Sequence, residues 1–317
     1  MRARPTYEGR RLPRPDEELV DQGLGFDLQT LVGRRTLLRG LGLGAVAVGL
    51  AACGGGTTAT TSSATTSSGT AAASAEIPDE TAGPYPGDGS NGPNVLTQSG
   101  IVRSDIRSSF GGMTGTAEGV PMELELVVTD LANGGAPFAG VAVYVWHCDA
   151  EGRYSLYSSG VEDQNYLRGV QVADADGRVR FTSTFPACYD GRWPHVHFEV
   201  YPDEASIVDD GNLLATSQVA LPQDVADAVY ATRGYEASVE NMSRVSLASD
   251  NVFGDDGGAS QLATVTGDVG SGYTVTLAVG IDTTTTPTGS ELSGDGGPSG
   301  APGGGRPAGT PPSRPTS

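Results

Sequence analysis

The stretch that decides the fold is residues 194–201, which read Pro194-His195-Val196-His197-Phe198-Glu199-Val200-Tyr201. Its β-branched and aromatic residues favour a strand. Side chains alternate between the two faces of a strand, so His195 and His197 leave one face while Val196 points to the other. This strand therefore predicts two imidazoles side by side on one face of a sheet.

Similar runs occur on either side of this strand, separated by Gly, Asp, Asn and Pro. They cover residues 123–129, 140–146, 178–184, 245–247, 263–265 and 273–279. One helix is predicted over residues 223–232, between Pro222 and Gly234. Many short strands with little helix predict an all-β protein, an antiparallel β-sandwich with one short helix.

Composition limits this domain to residues 77–282. Residues 54–76 are almost entirely Gly, Thr, Ser and Ala, and residues 283–317 are mainly Thr, Pro, Gly and Ser. Such segments bury too little apolar surface to offset the entropy of the chain. We expect a low-complexity tether before the domain and a disordered tail after it.

Residues 1–53 are typical of an export signal. Arg34 and Arg35 precede an apolar run that is too short to span a bilayer, as in a twin-arginine signal. The run ends in Leu-Ala-Ala-Cys at residues 50–53, which resembles a lipobox. The alternative is a short buried helix after two arginines. We expect export and anchoring at the cell surface through lipidated Cys53.

The charge excludes several classes of protein. The formal net charge is −19, all 19 basic residues are arginine, and the chain contains no lysine. A Schiff-base mechanism and a phosphate-binding loop with its lysine are therefore excluded. A nucleic-acid partner is not expected, because a phosphate backbone is repelled by such a surface and no basic stripe is present.

The His-x-His pair is a candidate metal site. The chain has 3 histidines, and two neutral imidazoles on one strand face can converge on one ion. A copper/zinc dismutase site needs more histidines than this. A cupin-like site can be assembled from His195, His197, Glu199 and His147. Two tyrosinate oxygens can also complete the site, and two partly exposed strand histidines are the alternative without a metal.

The neighbouring motifs resemble the iron-binding signature of the intradiol ring-cleavage dioxygenases. They are Gly152-Arg153-Tyr154, then Tyr189, then Arg-Trp-Pro-His-Val-His-Phe at residues 192–198. The resemblance implies a mononuclear non-haem Fe(III) bound by Tyr154 and His195 as equatorial ligands and by Tyr189 and His197 as axial ligands. Ferric iron is a hard cation that favours anionic oxygen, which phenolate supplies once the metal lowers the tyrosine pKa.

The resemblance also covers the substrate pocket. Glu-Thr-Ala-Gly-Pro-Tyr at residues 80–85 resembles the loop that lines the pocket in this family. Arg192 and Gln218 occupy the positions of a pocket arginine and a pocket glutamine, although Gln218 is further from His197 than in the family. Tyr189 would leave the iron and accept protons from the substrate. The implied catalytic residues are Tyr189, Arg192 and Gln218.

The implied reaction is cleavage of a small aromatic diol by O2, between the two hydroxyl-bearing carbons, to give a muconate-type diacid. Catechol, protocatechuate, hydroxyquinol and larger plant phenols all carry the same diol, so the substrate stays open, as does the oligomeric state. The alternative from another class is a noncatalytic surface β-sandwich, a binding module that retains the fold.

The remaining polar residues near these motifs are interpreted as structural. Tyr157 and Tyr166 are not expected to be ligands, Tyr85 is expected to form pocket wall, and His147 and Glu199 are expected to support the structure. Arg168 is a candidate buried cation beside the site.

A disulfide between Cys148 and Cys188 is also predicted. With Cys53 lipidated, these are the two remaining thiols of an exported chain, in a compartment that permits oxidation. Each lies close in sequence to a tyrosine of the implied ligand set, so the bond would join the two ligand-bearing segments.

Overall fold

The structure, a computed structural model, describes residues 6–7, 10–11 and 73–288. The chain divides into two units, residues 1–65 and 66–317. In the first unit, β1 (Thr6–Tyr7) pairs with β2 (Arg10–Arg11) in antiparallel orientation. The predicted lipobox, most of the predicted signal and tether, and residues 289–317 of the predicted tail lie outside the described residues. All other elements of the described residues belong to the second unit.

One sheet of the second unit has five strands in mixed orientation. They are β3 (Pro121–Asp130), β4 (Ala136–Pro137), β7 (Arg178–Thr184), β10 (Thr264–Asp268) and β11 (Gly272–Ile281). The order is β10-β11-β3-β4, and β7 also pairs with β3. The β11–β3 pair is parallel and the other pairs are antiparallel.

The second sheet has four antiparallel strands and is called the site sheet below. They are β5 (Ala142–Trp146), β6 (Arg168–Val172), β8 (His195–Tyr201) and β9 (Ala215–Ala220), in the order β6-β5-β8-β9. In this register His197 lies between Trp146 on β5 and Gln218 on β9. The predicted His-x-His strand is therefore an inner strand of this sheet.

The main core lies between the two sheets. Leu124 and Leu126 from the five-stranded sheet belong to the same apolar cluster as Val143, Val196 and Phe198 from the site sheet. A second apolar cluster covers the other face of the site sheet and includes Tyr144, Trp146, Tyr154, Ile101 and Leu96. The site sheet is therefore buried on both faces, which accounts for the uninterrupted burial of β5, β8 and β9.

The structure confirms the predicted all-β sandwich and corrects some of its details. The predicted helix is α1 (Gln223–Tyr230), and a second helix, α2 (Glu236–Met242), was not predicted. Strand β9 was also missed, because its sequence Ala-Thr-Ser-Gln-Val-Ala has weak strand propensity and is held by pairing with β8. The strand predicted over residues 245–247 is wrong, since Leu247 begins a short 3₁₀ turn.

The predicted disulfide is also wrong, because Cys148 and Cys188 are both free, buried thiols. They belong to different apolar clusters, and each thiol faces a backbone carbonyl: Cys148 that of Ala187 at 3.6 Å, and Cys188 that of Arg192 at 3.4 Å. Burial raises the pKa of Cys188 to about 12 and that of Cys148 further still, which disfavours the thiolate needed for disulfide exchange.

Within the described part of the chain, no helix combines the length and the apolar character that crossing a membrane requires.

Candidate active site

Four donor atoms from three chain segments meet at one point beside β8. The Nε2 atom of His195 lies 3.1 Å from Nε2 of His197, 3.3 Å from the hydroxyl of Tyr189 and 3.5 Å from the hydroxyl of Tyr154. The structure thus brings together all four side chains that the resemblance implied as ligands. In the residues that the structure describes, no group of three or more His, Cys, Asp and Glu side chains is arranged to hold a metal, so the tyrosines are essential to this arrangement.

The two imidazoles are held as neutral donors. Both are buried, and burial together with the charge of Arg192 lowers the pKa of His195 to about 3. Burial and the neighbouring His195 lower the pKa of His197 well below its ordinary value. The carbonyl of Trp193 contacts Nδ1 of His195, which places the proton there and leaves the lone pair of Nε2 facing the cluster.

The ring of Trp146 and the backbone at Gly83 enclose the imidazole of His197. Its ring stacks on Trp146, with the centroids 4.9 Å apart and an interplanar angle of 6°. A Cβ atom at Gly83 would lie 3.3 Å from Cε1 of His197. Gly83 also has a φ of +69°, so a side chain there would be strained as well as crowded. The glycine of the 80–85 motif therefore lets the loop approach the imidazole.

Tyr154 is positioned by a turn that is centred on Asp149. Both carboxylate oxygens of this buried aspartate accept hydrogen bonds from Arg153, one from its backbone N–H and one from Nε, each at 2.9 Å. Gly152 has a φ of +82°, and a Cβ atom there would lie 3.2 Å from Cβ of Tyr189. The Gly-Arg-Tyr motif thus brings the two tyrosine segments into contact. Sequence reasoning missed Asp149, which no motif marked.

Tyr189 is anchored through its neighbours along the chain. The backbone N–H of Cys188 donates to Ser238 and the carbonyl of Cys188 accepts from Asn241, both on α2. Tyr154 is buried, whereas Tyr189 is partly exposed. Of the two tyrosines, Tyr189 is therefore the one with more freedom to move.

Both phenols are protonated in the absence of a cation. Burial raises the pKa of Tyr189 to about 12 and the pKa of Tyr154 well above its ordinary value, while the charge of Arg192 opposes both shifts. Two protonated phenols beside two neutral imidazoles supply no fixed charge of their own. A strongly charged cation among them would stabilise the phenolates and be coordinated by the imidazoles. The donor set therefore fits ferric iron.

Arg192 and Gln218 lie together beside these donors. Nη2 of Arg192 donates to Oε1 of Gln218 at 2.6 Å, and Nε of Arg192 donates to Asp250 at 2.9 Å. Gln218 in turn donates to the carbonyl of Thr81 at 3.0 Å. The spacing between His197 and Gln218 is longer than in the family, and the 3₁₀ turns between β8 and β9 accommodate the additional residues. Sequence reasoning missed Asp250.

Arg168 is buried and holds the pocket loop against the site sheet. Its Nη1 donates to the carbonyl of Pro86 at 2.6 Å and to the hydroxyl of Tyr144 at 3.0 Å, and its Nη2 donates to the carbonyl of Tyr85 at 2.9 Å. It is thus the buried cation that was expected beside the site, and it contacts loop carbonyls rather than the donor cluster. The ring of Tyr85 lies 4.9 Å from that of Tyr154, as expected for pocket wall.

The other candidate donors are turned to different partners. His147 contacts the carbonyl of Cys148 through Nδ1 at 2.8 Å and Ser183 through Nε2 at 2.7 Å, so neither nitrogen is available to a metal. Glu199 accepts from Tyr201 at 2.9 Å. A cupin-like site that includes His147 is therefore disfavoured.

Tyr157 and Tyr166 also have protein partners. The hydroxyl of Tyr157 donates to Asn91 at 2.8 Å, and the hydroxyl of Tyr166 donates to Asp149 at 2.9 Å. Both support the turn and the loop around Tyr154.

Part of the chain is similar to known proteins. Residues 91–200 match the family described as Dioxygenase, through its Dioxygenase_C model. A chlorocatechol 1,2-dioxygenase of Rhodococcus opacus is 39% identical over 56 residues, which are 18% of this chain and 22% of that protein. A protocatechuate 3,4-dioxygenase beta chain of Burkholderia cepacia is 35% identical over 98 residues, 27% of this chain and 42% of that protein.

The chain spans less than half of the length of these curated relatives. Among solved structures, an intradiol ring-cleavage dioxygenase from Tetranychus urticae has a TM-score of 0.54 and 21% identity, with 68% of this chain and 98% of that chain covered. This likeness concerns the fold alone. The matched segment, 91–200, includes all four donors of the cluster and Arg192, so the similarity to the Dioxygenase family covers the candidate site.

Proposed function

We propose that this chain is an intradiol ring-cleavage dioxygenase that uses mononuclear non-haem Fe(III) and O2 to open a catechol-type ring. The observation that carries the proposal is the convergence of four side chains. The hydroxyls of Tyr154 and Tyr189 and Nε2 of His197 all lie within 3.5 Å of Nε2 of His195. The match of residues 91–200 to the Dioxygenase family supports it. The product would be a muconate-type diacid, formed by insertion of both oxygen atoms.

The four donors would hold the iron, which when bound draws electron density from a chelated diol and makes its ring reactive toward O2. Tyr189, the more exposed of the two tyrosines, would be a phenolate when iron is bound and would accept a proton at its phenolate oxygen as the diol binds. Arg192 would donate from its guanidinium to negative charge that develops on the substrate. Gln218 would keep the guanidinium in place through the bond at 2.6 Å.

The test is iron analysis and an optical spectrum of the purified full chain, followed by oxygen uptake with catechol, protocatechuate and hydroxyquinol. We expect about one iron per chain, a reddish tyrosinate-to-Fe(III) absorption band, and uptake with at least one diol. A double variant, His195→Ala with His197→Ala, serves as the metal-free control. A colourless protein without iron would favour the noncatalytic binding module instead.

We also propose export by the twin-arginine route and anchoring through a lipid on Cys53. The order of Arg34-Arg35, the short apolar run and the Leu-Ala-Ala-Cys sequence supports this. Cell fractionation of the wild type and of Cys53→Ala tests it. The wild type should partition with membranes and the variant should not; recovery of both in the soluble cytoplasm would contradict the proposal.

A further inference from the structure

Asp250 is a fully enclosed carboxylate that joins a distant loop to the donor cluster. Its side chain has 0% exposure. Within its own loop, Oδ1 accepts the backbone N–H groups of Val252 at 2.9 Å and Phe253 at 3.1 Å. From the segment that precedes β8, Oδ2 accepts hydrogen bonds from the backbone N–H of Trp193 at 2.7 Å and from the Nε–H of Arg192 at 2.9 Å. Every one of these bonds is charge-assisted.

The hydrogen bonds of Arg192 to Asp250 and Gln218 fix the plane of its guanidinium. Nε is bonded to Asp250, and Nη2 is bonded to Gln218 at 2.6 Å, with a longer contact of 3.5 Å to Asp250. Two anchored nitrogens determine the direction of a planar group. Among the described residues, none accepts a hydrogen bond from the third nitrogen, Nη1. Its two N–H groups are therefore available to a ligand.

The guanidinium lies beside the donor cluster. Arg192 precedes His195 by three residues, and Gln218, which it binds, pairs with His197 in the register of β8 and β9. Burial raises the pKa of Asp250, but the charge and hydrogen bonds of Arg192 outweigh it and lower the pKa below its ordinary value.

We propose that Asp250 is the positioning residue for Arg192: it binds Nε so that the free Nη1 points at the oxygen-rich end of the bound diol. The inference rests on the proposed function for the identity of that ligand, and on geometry for the rest. Without the carboxylate, the guanidinium would be held by Gln218 alone and could rotate about that bond. A misplacement of about 1 Å can cost roughly 10²-fold in rate.

Asp250→Asn is the central variant, and Asp256→Asn is its matched control. Asp256 also accepts two backbone N–H groups of its loop, from Gly258 at 2.7 Å and Ala259 at 3.2 Å, but it binds no arginine in the described structure. We expect Asp250→Asn to keep its iron and its absorption band while kcat falls about 10²-fold. Asp256→Asn should keep the wild-type kcat.

A double-mutant cycle separates positioning from support of the loop. If Asp250 acts through Arg192, adding Asp250→Asn to Arg192→Ala should change kcat no further, because the group that it positions is already gone. If Asp250 only anchors the loop through Val252 and Phe253, the two losses should multiply. Multiplication would overturn the proposal.

Crystal structures provide a test that does not depend on activity. In Asp250→Asn, the guanidinium of Arg192 should rotate about its bond to Gln218 while the backbone of residues 193–195 stays in place; an unmoved guanidinium would overturn the proposal. In Gln218→Ala, Arg192 should stay on Asp250, and its release would overturn the proposal even if Asp250→Asn fails to fold. Absence of oxygen uptake by the iron-loaded wild type would count against the proposed function alone, since these structural outcomes remain measurable.

Discussion

The two sheets of this protein face the same core but differ in what lies on their outer faces. In the five-stranded sheet, the first half of β3 alternates exposed Glu123 and partly exposed Glu125 with buried Met122, Leu124 and Leu126. Glu125 is paired with Arg178 and Arg180 on β7. In the site sheet, β8 is buried along its whole length. One sheet alternates apolar and polar side chains, and the other is enclosed on both faces.

The outer face of the site sheet carries polar atoms that the fold leaves without partners. Trp146 Nε1, His197 Nδ1 and Glu199 Oε1 are all buried and unbonded among the described residues. Each unpaired buried polar group costs about 1–3 kcal/mol. The core-facing residues of both sheets therefore stabilise the domain, while the outer face of the site sheet has a local cost that fits a functional surface.

The largest expected effect is loss of metal from His197→Ala. Removing one of four donors should weaken iron binding beyond the roughly 10–100-fold typical of residues that only support a ligand. The iron content and the absorption band should fall together. His147→Ala is the matched control, since both of its nitrogens bond to other protein groups. It should lower the stability and retain the iron; equal iron in the wild type and His197→Ala would contradict the assignment.

Next comes the loss of turnover in Tyr189→Phe. Iron should stay, because in the proposed reaction Tyr189 leaves the iron while the other three donors hold it, and the absorption band should shift. Turnover should fall by roughly 10²–10⁴ because the phenolic proton acceptor is gone. Steady-state oxygen uptake and the optical spectrum measure both effects. In the control, Tyr230→Phe, a buried hydroxyl bonded to the carbonyl of Pro186 is removed away from the cluster, so turnover should hold. Full activity in Tyr189→Phe would show that this phenol is not the base.

A core substitution in the five-stranded sheet should lower the stability and leave iron binding and turnover unchanged. Leu124→Ala removes a buried side chain from β3 and should lower the free energy of unfolding by about 2–5 kcal/mol. Iron per folded chain and kcat should stay at the wild-type level. Denaturant titration measures the free energy of unfolding, metal analysis measures the iron, and oxygen uptake measures kcat. Val239→Ala, at a position 56% exposed on α2, should change stability by less than about 0.5 kcal/mol. Loss of iron in Leu124→Ala would remove the distinction between the sheets.

The sequence was sufficient for features that depend on local periodicity. The period of two placed His195 and His197 on one face, and the observed β8 and β7 match the predicted strands closely. The helix over residues 223–232 corresponds to α1 because Pro222 and Gly234 mark its limits. Each of these features is encoded within about a dozen consecutive residues.

Features that depend on distant contacts could not be predicted. Asp250 lies 58 residues after Arg192, next to a segment that had been predicted as a strand. Nothing in its local sequence marks it as a partner of an arginine. The disulfide failed for a related reason: the number of cysteines predicts a possible pair, but only the packing shows that Cys148 and Cys188 lie in separate clusters.

The smallest expected effect concerns the pH dependence of stability and the charge of Glu80. Burial, with repulsion from Asp255 and Asp256, raises the pKa of Glu80 to about 8. Between its ordinary pKa of 4.5 and about 8, the folded state retains a proton that the unfolded state has released. Stability from this group is therefore lost as pH rises through that window and is constant above it.

Glu80→Gln cannot ionise, so it should be more stable relative to the wild type at pH 8.5 than at pH 5, as measured by denaturant titration at both values. Glu123→Gln, on the exposed part of β3, is the matched control and should show the same difference from the wild type at both pH values. The effect should be modest because Glu80 is only partly buried and solvent screens its charge. A difference for Glu80→Gln that does not change with pH would show that the acidic repulsion beside the site sheet is relieved in solution. Glu80, beside the site sheet, and Glu125, which is paired with two arginines in the five-stranded sheet, would then no longer differ in electrostatic environment.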